Sequence, residues 1–416
     1  MLDSQKISAF LALKRKELGM TQVEIADKLK VSYQAVSKWE NGAVPSVEVL
    51  VELARILNVS VDTLLNGGDR ITYDQTEVDL VHFADLRQKI AAQLTIGDQR
   101  VLNKPAMPTV LYDFQFPDIE SPVLVMSPGW YGSKCKLAAR YGYGESAGHD
   151  IVNDLVSNVL SMGARPLAVT DCIAMGEDNE DVLLSIVKGI SDACKENGCS
   201  FIGGSTRIHS FTVQKGAYEI CANVVGVAPK GGLLDGSAIR KGDVILAVAS
   251  NGPHTTGYTL LGILLEKMPL IKKEMVAGET FLEQIMKPHA SYYKALSPLL
   301  GREDVHGMTH IICHYGLESH MDEIIPEGLC AEIDLSKVRL LPIFRHIKKM
   351  GNISESDMLS SYNCGMGMWL VVAEESAGEI AKIVGRYYDC YEVGRIITES
   401  PKSGNVIYKG EISWYN

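Results

Sequence analysis

The sequence has no basic excess: 40 Lys and Arg stand against 51 Asp and Glu, a formal charge of −11. A bulk acidic surface repels phosphate, so any contact with nucleic acid has to be local. Its nine cysteines are scattered without a CxxC pair. That is the usage of reduced thiols and excludes a disulfide framework as the source of stability. Long apolar runs are missing too. Val244–Ala249 and Met368–Ala373 have strand length, far short of a membrane span. The opening MLDSQKISAF lacks the basic-then-apolar pattern of a secretory leader, so a cytoplasmic protein with no membrane partner is expected. No Walker, Ser-His-Asp or paired-carboxylate signature is visible beyond the N-terminal segment.

At 416 residues the chain exceeds one ordinary core, and two or three domains are expected. The apolar share of 46% and charged share of 22% are those of a soluble globular protein. Residues 1–66 escape the general acidity, because their acids and bases nearly cancel. Ile7, Phe10, Leu11 and Leu18 mark a first helix that Gly19 stops. Thr21 with Glu24 three residues on forms a capping box for a second, whose buried face is Val23, Ile25, Ala26 and Leu29. Ser32 caps a third helix, Tyr33–Glu40, and two more follow at Val47–Leu57 and Val61–Leu65. Asn66–Asp69 reads as the start of a linker.

The run Thr21–Gly42 closely resembles the lambda-repressor/Cro-type helix-turn-helix family, and the likeness extends over residues 4–65. Gln22, Ala26, Val31, Ser32, Val36, Ser37, Trp39 and Glu40 stand where that family has them. The resemblance implies that the third helix enters the major groove. Ser32, Tyr33, Gln34, Ser37 and Lys38 are then the expected groove contacts, with Gln22 and Asn41 on phosphates. Trp39 points inward by periodicity. The Lys14–Lys16 basic run either touches phosphate or is a solvated face.

From about residue 78 glycines multiply and strands alternate with helices. Strands are predicted at Val123–Met126, Leu167–Cys172, Ser200–Ile202, Tyr218–Val227, Val244–Ala249, Ala331–Asp334 and Met368–Val372. Helices are predicted at Asp150–Met162, Asp181–Glu196, Tyr258–Lys267, Ala290–Leu300 and Ile343–Met350. A second break falls at Pro229–Gly232. The expected layout is an all-α domain at 1–66, a linker at 67–77, an α+β lobe at 78–228, a second lobe at 229–400 and a C-terminal extension at 401–416.

Several stretches in that body resemble aminoimidazole ribonucleotide (AIR) synthase, the phosphoribosylformylglycinamidine cyclo-ligase of purine synthesis, and its superfamily. They are Pro122–Val125, Gly132–Lys134, Met162–Leu167, Gly198–Gly204, Asn251–Leu260, Asp304–His306 and Asn363–Met368, in family order. The resemblance implies a two-lobed α+β fold whose N-terminal lobe dimerises through its sheet and buries ATP near the interface. It also implies carboxylates that hold magnesium against the ATP phosphates. Here the sequence departs. Gly129, Ser157–Asn158 and Ser205 stand where the family has acidic or Asn-Asp residues, and Ile-Cys-His-Tyr-Gly follows His310 where the family has Thr-Gly-Gly-Gly. Asp154 and Asp150 share a helical face with Asn158 but lie one and two turns away from it.

A cleft stripped of metal carboxylates reads as a binding pocket. Its expected lining is Gly132, Ser133, Lys134, Asn158, Asp171, Gly203, Gly204, Ser205, His254 and Asn363. Lys134, Arg207 and the glycine-turn amides favour a small anionic or nucleotide-like effector. Trp130 and Tyr131 either stack on a planar ligand or fill the pocket. The function expected is a transcription regulator with no catalytic residues, working as a homodimer on a palindromic operator. The alternative is an active ATP- and Mg²⁺-dependent cyclo-ligase-like enzyme with a DNA-binding head. His306, His310, Cys313, His314 and His320 crowd one segment without matching a standard metal spacing.

Overall fold

The computed structural model describes residues 3–69, 80–102, 109–313, 316–317, 320–398 and 405–415. The chain divides into two compact units, Met1–Val78 and Asp79–Asn416. Most of the linker expected at 67–77 therefore lies outside the described residues, as does His314.

The first unit is five helices: α1 Ser4–Glu17, α2 Gln22–Leu29, α3 Tyr33–Trp39, α4 Val47–Ile56 and α5 Val61–Asn66. Local chemistry sets their starts. The Asp3 carboxylate accepts from the amides of Gln5 and Lys6, Thr21 and Glu24 complete the capping box, and Ser32 and Ser60 cap α3 and α5. Leu11, Ile25, Val36, Leu53 and Leu64 are wholly buried in the shared core, against which Trp39 packs. One ion pair ties helices together across that core. The Arg15 guanidinium donates to both Glu40 oxygens at 2.6 and 2.9 Å, and Gln22 Nε2 donates to Glu40 at 2.7 Å. Burial alone would raise the Glu40 carboxyl, but the Arg15 and Gln22 hydrogen bonds outweigh it and hold the group below its ordinary value.

The second unit opens with α6 Leu80–Gln93, β1 Pro122–Trp130, α7 Lys134–Tyr141, α8 Gly144–Ser161, β2 Arg165–Met175, α9 Glu180–Glu196, β3 Ser200–Ile208 and β4 Tyr218–Pro229. Its four-stranded sheet has the order β1-β4-β2-β3, antiparallel except for the β2–β3 pair. Helices α8 and α9 pack at very short range. A Cβ on Gly148 would meet the Ile186 carbonyl at 2.3 Å, so only glycine admits that approach. Strand β1 alternates between half-buried and exposed, and its outer face carries Leu124, Met126 and Trp130.

The remaining elements are β5 Val244–Ala249, α10 Tyr258–Lys267, β6 Met275–Val276, β7 Glu279–Thr280, α11 Phe281–Met286, α12 Tyr293–Leu296, β8 Val305–His310 and α13 Met321–Ile324. They continue with β9 Leu329–Asp334, α14 Pro342–Gly351, α15 Glu355–Ser361, β10 Met366–Val372, α16 Ala377–Val384, β11 Cys390–Thr398 and β12 Val406–Lys409. The larger sheet runs β12-β9-β11-β5-β10-β8. Every β10 residue is buried, as its unbroken apolar run requires. One hydrophobic core, from Val156 on α8 to Leu370 on β10, joins the two lobes.

Each predicted strand is found, most of them longer than expected. The helix expected at Ala290–Leu300 shortens to α12 and a tight turn over Ser297–Leu299, because Pro298 has no amide hydrogen to continue the ladder. Strand β8 gave no apolar alternation, since His306 and His310 occupy buried positions within it. Residues 406–409, inside the segment expected as an extension, pair in parallel with β9.

Candidate functional site

The outer face of α3 holds Tyr33, 49% exposed, with Gln34 and Lys38 exposed beside it and Ser37 half-buried. Ser32 is exposed, but its hydroxyl caps the Ala35 amide at 3.3 Å. The two residues expected on phosphates make bonds inside the unit. Gln22 uses one amide hydrogen on Glu40, and Asn41 Nδ2 donates to the Ser37 carbonyl at 2.7 Å.

The body residues expected to line one pocket are distributed over three places. Asp171, Gly203, Gly204 and Ser205 line a cavity of about 500 Å³ together with Arg87 and Arg207. Asp171 sits in the middle of β2, paired opposite Gly204 of β3. Burial pushes its carboxyl up to about 7, and a bond from its own backbone amide offsets little of that. It is the one carboxylate among the described residues of this cavity. Gly132 and Ser133 line a second cavity of about 620 Å³, where Trp130 is 69% exposed and Tyr131 is buried.

Lys134 and its surroundings make the third place, at the contact of the two lobes. The Lys134 ammonium is fully buried and has three acceptors: Asp150 at 2.8 Å, the His254 carbonyl at 2.9 Å and the Lys287 carbonyl at 2.7 Å. All its donors are engaged, so it is a structural tie between lobes. The expectation that it offers charge to an anion is corrected by those contacts. Asp150 also accepts from the Tyr131 hydroxyl and the His289 amide, each at 2.7 Å. Burial pushes Lys134 down and Asp150 up from their ordinary values, and their mutual attraction opposes both. Tyr131 thus fills the interior and hydrogen-bonds there. Asp154 accepts from the Thr255 hydroxyl at 2.8 Å, and burial raises its carboxyl to about 6. Asn363 is likewise structural: it accepts from Ser250 and the Gly365 amide and donates to the Gly252 carbonyl.

Next to this tie lie three buried imidazoles. His254 and His289 stack with ring centroids 3.9 Å apart, and His289 Nε2 faces His310 Nε2 at 2.9 Å. His289 Nδ1 meets the Ala290 carbonyl at 2.8 Å, and His310 Nδ1 meets Asn158 Oδ1 at 2.9 Å. Neither ring nitrogen of His254 has a hydrogen-bond partner among the described residues. An orphaned buried polar group costs about 1–3 kcal/mol. Burial holds His254 well below its ordinary value and brings His289 down to about 3. Sequence reading placed metal candidates in the 306–320 segment instead. There His306 pairs with Asp243 at 2.7 Å and His320 approaches Glu323 at 3.3 Å, and among the described residues of that set His310 alone joins the triad. His289 carried no sequence signal, because the triad assembles from three loops and strand ends distant in the chain.

At the position where the resemblance puts the first acidic residue, a Cβ on Gly129 would touch Leu155 Cδ2 at 2.6 Å. The space is filled by an apolar side chain. Asn158 is held between His310 and Ser127, whose hydroxyl lies 3.3 Å from its Nδ2.

These features define a helix-turn-helix unit joined to a two-lobed α+β body. Known families match each part. The helix-turn-helix family matches residues 11–64, and the N- and C-terminal domains of AIR synthase related proteins match residues 118–228 and 240–406. The chain is 34% identical over 278 residues to the phosphoribosylformylglycinamidine cyclo-ligase of Methylobacillus flagellatus, spanning 67% of this chain and 80% of that one. With the enzyme of the same name from Streptococcus gordonii it shares 31% over 299 residues, 70% of this chain and 86% of the relative. In fold it is similar to the hydrogenase maturation protein HypE of E. coli, with a TM-score of 0.56 at 14% identity over 79% of this chain and 92% of that one. Thiamine-monophosphate kinase from Stenotrophomonas maltophilia gives a TM-score of 0.53 at 15% identity, over 81% and 98%. The chain belongs to the AIR synthase related family and carries a helix-turn-helix domain ahead of the family's two domains. No helix among the described residues is long and apolar enough to cross a membrane.

Proposed function

We propose that this chain is a cytoplasmic transcription regulator whose body senses a small anionic or nucleotide-like ligand. Helix α3 reads operator DNA through Tyr33, Gln34 and Lys38, and the body pairs into a homodimer that presents two heads to a palindromic site. The observation that carries the sensor reading is the composition of the 500 Å³ cavity: Arg87 and Arg207 against a single carboxylate, Asp171, raised to about 7. Such a lining attracts phosphate or carboxylate groups. It lacks the set of ionised oxygens that magnesium needs in octahedral geometry. The exposed apolar outer face of β1, with Leu124, Met126 and Trp130, supports pairing through the N-terminal sheet.

The 34% identity to a cyclo-ligase favours a second reading, an ATP-dependent enzyme that carries a DNA-binding head. One experiment separates them. The full chain is given ATP, Mg²⁺ and formylglycinamidine ribonucleotide, and phosphate release is followed beside thermal shift and binding to promoter fragments. The sensor reading expects no turnover, a rise in melting temperature with a purine nucleotide or phosphorylated intermediate, and DNA binding that this ligand alters. Sustained turnover would overturn it.

A further inference from the structure

We propose that His254, His289 and His310 form a binding site for one late first-row divalent metal ion, with the zinc ion as the reference case. The inference rests on this geometry alone and is independent of the regulatory reading.

Hydrogen-bond bookkeeping at the rings carries it. A carbonyl oxygen only accepts, so His289 Nδ1, 2.8 Å from the Ala290 carbonyl, bears a hydrogen. The same argument applies to His310 Nδ1 against Asn158 Oδ1. In the neutral rings both Nε2 atoms then carry lone pairs, and these face one another at 2.9 Å. Two acceptors at that distance repel unless a cation lies between them. The third ring bears on the choice of cation. Both nitrogens of His254 lack hydrogen-bond partners among the described residues, and the three rings bring one nitrogen each within 4.8 Å of one another. Three imidazoles converge, and the outer N–H groups of two of them, His289 and His310, are held by oxygen acceptors, as outer partners orient metal-ligating histidines.

The spacing suits an ion of that class. At metal–nitrogen distances of about 2.0–2.1 Å, ligands at right angles are about 2.9 Å apart and tetrahedral ligands about 3.4 Å. The observed 2.9 Å between His289 and His310 fits two adjacent ligand positions. Three neutral nitrogen donors select zinc, cobalt, nickel or copper over magnesium or calcium, which take oxygen. His254 is held in a left-handed backbone conformation, φ +59°, rare for a residue with a side chain. His310 also lines a cavity of about 240 Å³ with Asn158 and Thr309, which gives an ion a way in and a further ligand an open position. The other grouping of potential ligands among the described residues, Glu145, His149 and Asp192, is partly exposed, and both of its carboxylates are paired with Lys188.

The test uses the untagged full chain, stripped with chelator, dialysed and loaded with Zn²⁺ or Co²⁺. Elemental analysis after gel filtration is expected to give one ion per chain, and the cobalt form to show visible d–d bands. H254A and H289A are each expected to weaken binding at least a hundredfold, beyond the ten- to hundredfold cost of losing an outer partner. H209A, at an exposed histidine of the first lobe outside the cavity that His310 lines, is expected to leave it unchanged. X-ray absorption on the zinc-loaded wild-type chain needs no variant to fold, and should report three imidazole nitrogens. Substoichiometric metal, an absorption spectrum without imidazole scattering, or equal affinity in folded H254A and H289A would overturn the proposal. Those results would assign the short contact to a shared proton or a rotated Asn158 carboxamide.

Discussion

Replacing Asp171 by asparagine tests the electrostatics of the arginine-lined cavity. The wild-type carboxyl lies at about 7 in the folded chain because it is buried, against an ordinary 3.8. Between those values the folded protein holds a proton that the unfolded chain has released. Stability therefore falls as pH rises through that window, and the loss is complete only above the folded value. Each unit of difference is worth about 1.4 kcal/mol. Integrated from pH 5 to pH 7, this one group removes about 2 kcal/mol from the wild type and nothing from D171N. Other groups titrate in the same range, so the quantity to read is the difference between the two proteins. Melting curves of wild type and D171N at half-unit steps from pH 5 to pH 8 should diverge, with D171N gaining a few degrees relative to wild type. The same proton governs the ligand: an anion bound beside Asp171 should bind more tightly at pH 6 than at pH 8 in wild type, and without that dependence in D171N. A difference curve that stays flat across pH 5–8 would refute the argument, because it would mean the carboxyl is ionised in the fold.

Gln34→Ala should cost about 1–3 kcal/mol at the operator and relax sequence preference with the salt slope unchanged, whereas Lys38→Ala, which removes a groove contact and a charge, should relax preference and also lower the salt slope by about one. Titrations of specific and random DNA at two salt concentrations distinguish these outcomes. Met126→Asp with Trp130→Asp puts two charges on the exposed apolar face of β1 and should convert a dimer to monomers, read by light scattering. Arg15→Ala leaves Glu40 almost buried without its partner, and should destabilise the helix-turn-helix unit by about 3 kcal/mol, visible as loss of its melting transition and of DNA binding.

How much of this was legible depended on whether the signal was local. The helix-turn-helix unit is written in short-range chemistry: Thr21 with Glu24, Ser32 before Tyr33, and apolar residues at helical spacing. Its helices begin where those residues say. The buried strands β5 and β10 were equally plain, because a run buried on both faces is apolar throughout. Strand β8 was hidden for the opposite reason. Its His306 and His310 look like surface residues until Asp243 and the other histidines arrive from elsewhere in the chain. Lys134 misled in the same way. A lysine after a glycine turn suggests a phosphate site, but its three acceptors come from α8 and from two loops of the second lobe. Residue type announces the chemistry available; only the fold says which of it is already engaged.

The departures from the enzyme pattern support one another physically. Gly129 leaves room that Leu155 fills, so an acidic side chain there would collide with an apolar one. One turn along α8 from Leu155, Asn158 is a neutral carboxamide bonded to His310, and His310 in turn faces His289. Where magnesium would need several free anionic oxygens, the stretch from Leu155 to the histidines holds a leucine, a carboxamide and imidazoles, of which burial holds His254 and His289 below their ordinary value, while the nearby Asp150 and Asp154 are engaged by Lys134 and Thr255. Restoring a single carboxylate at any of these positions would place an unpaired charge among neutral groups and gain no octahedral site. Changes that are each unfavourable to revert alone describe a cleft settled into different chemistry. On the readings proposed above, the Arg87 and Arg207 cavity would take an anion and the separate histidine cluster a nitrogen-seeking cation.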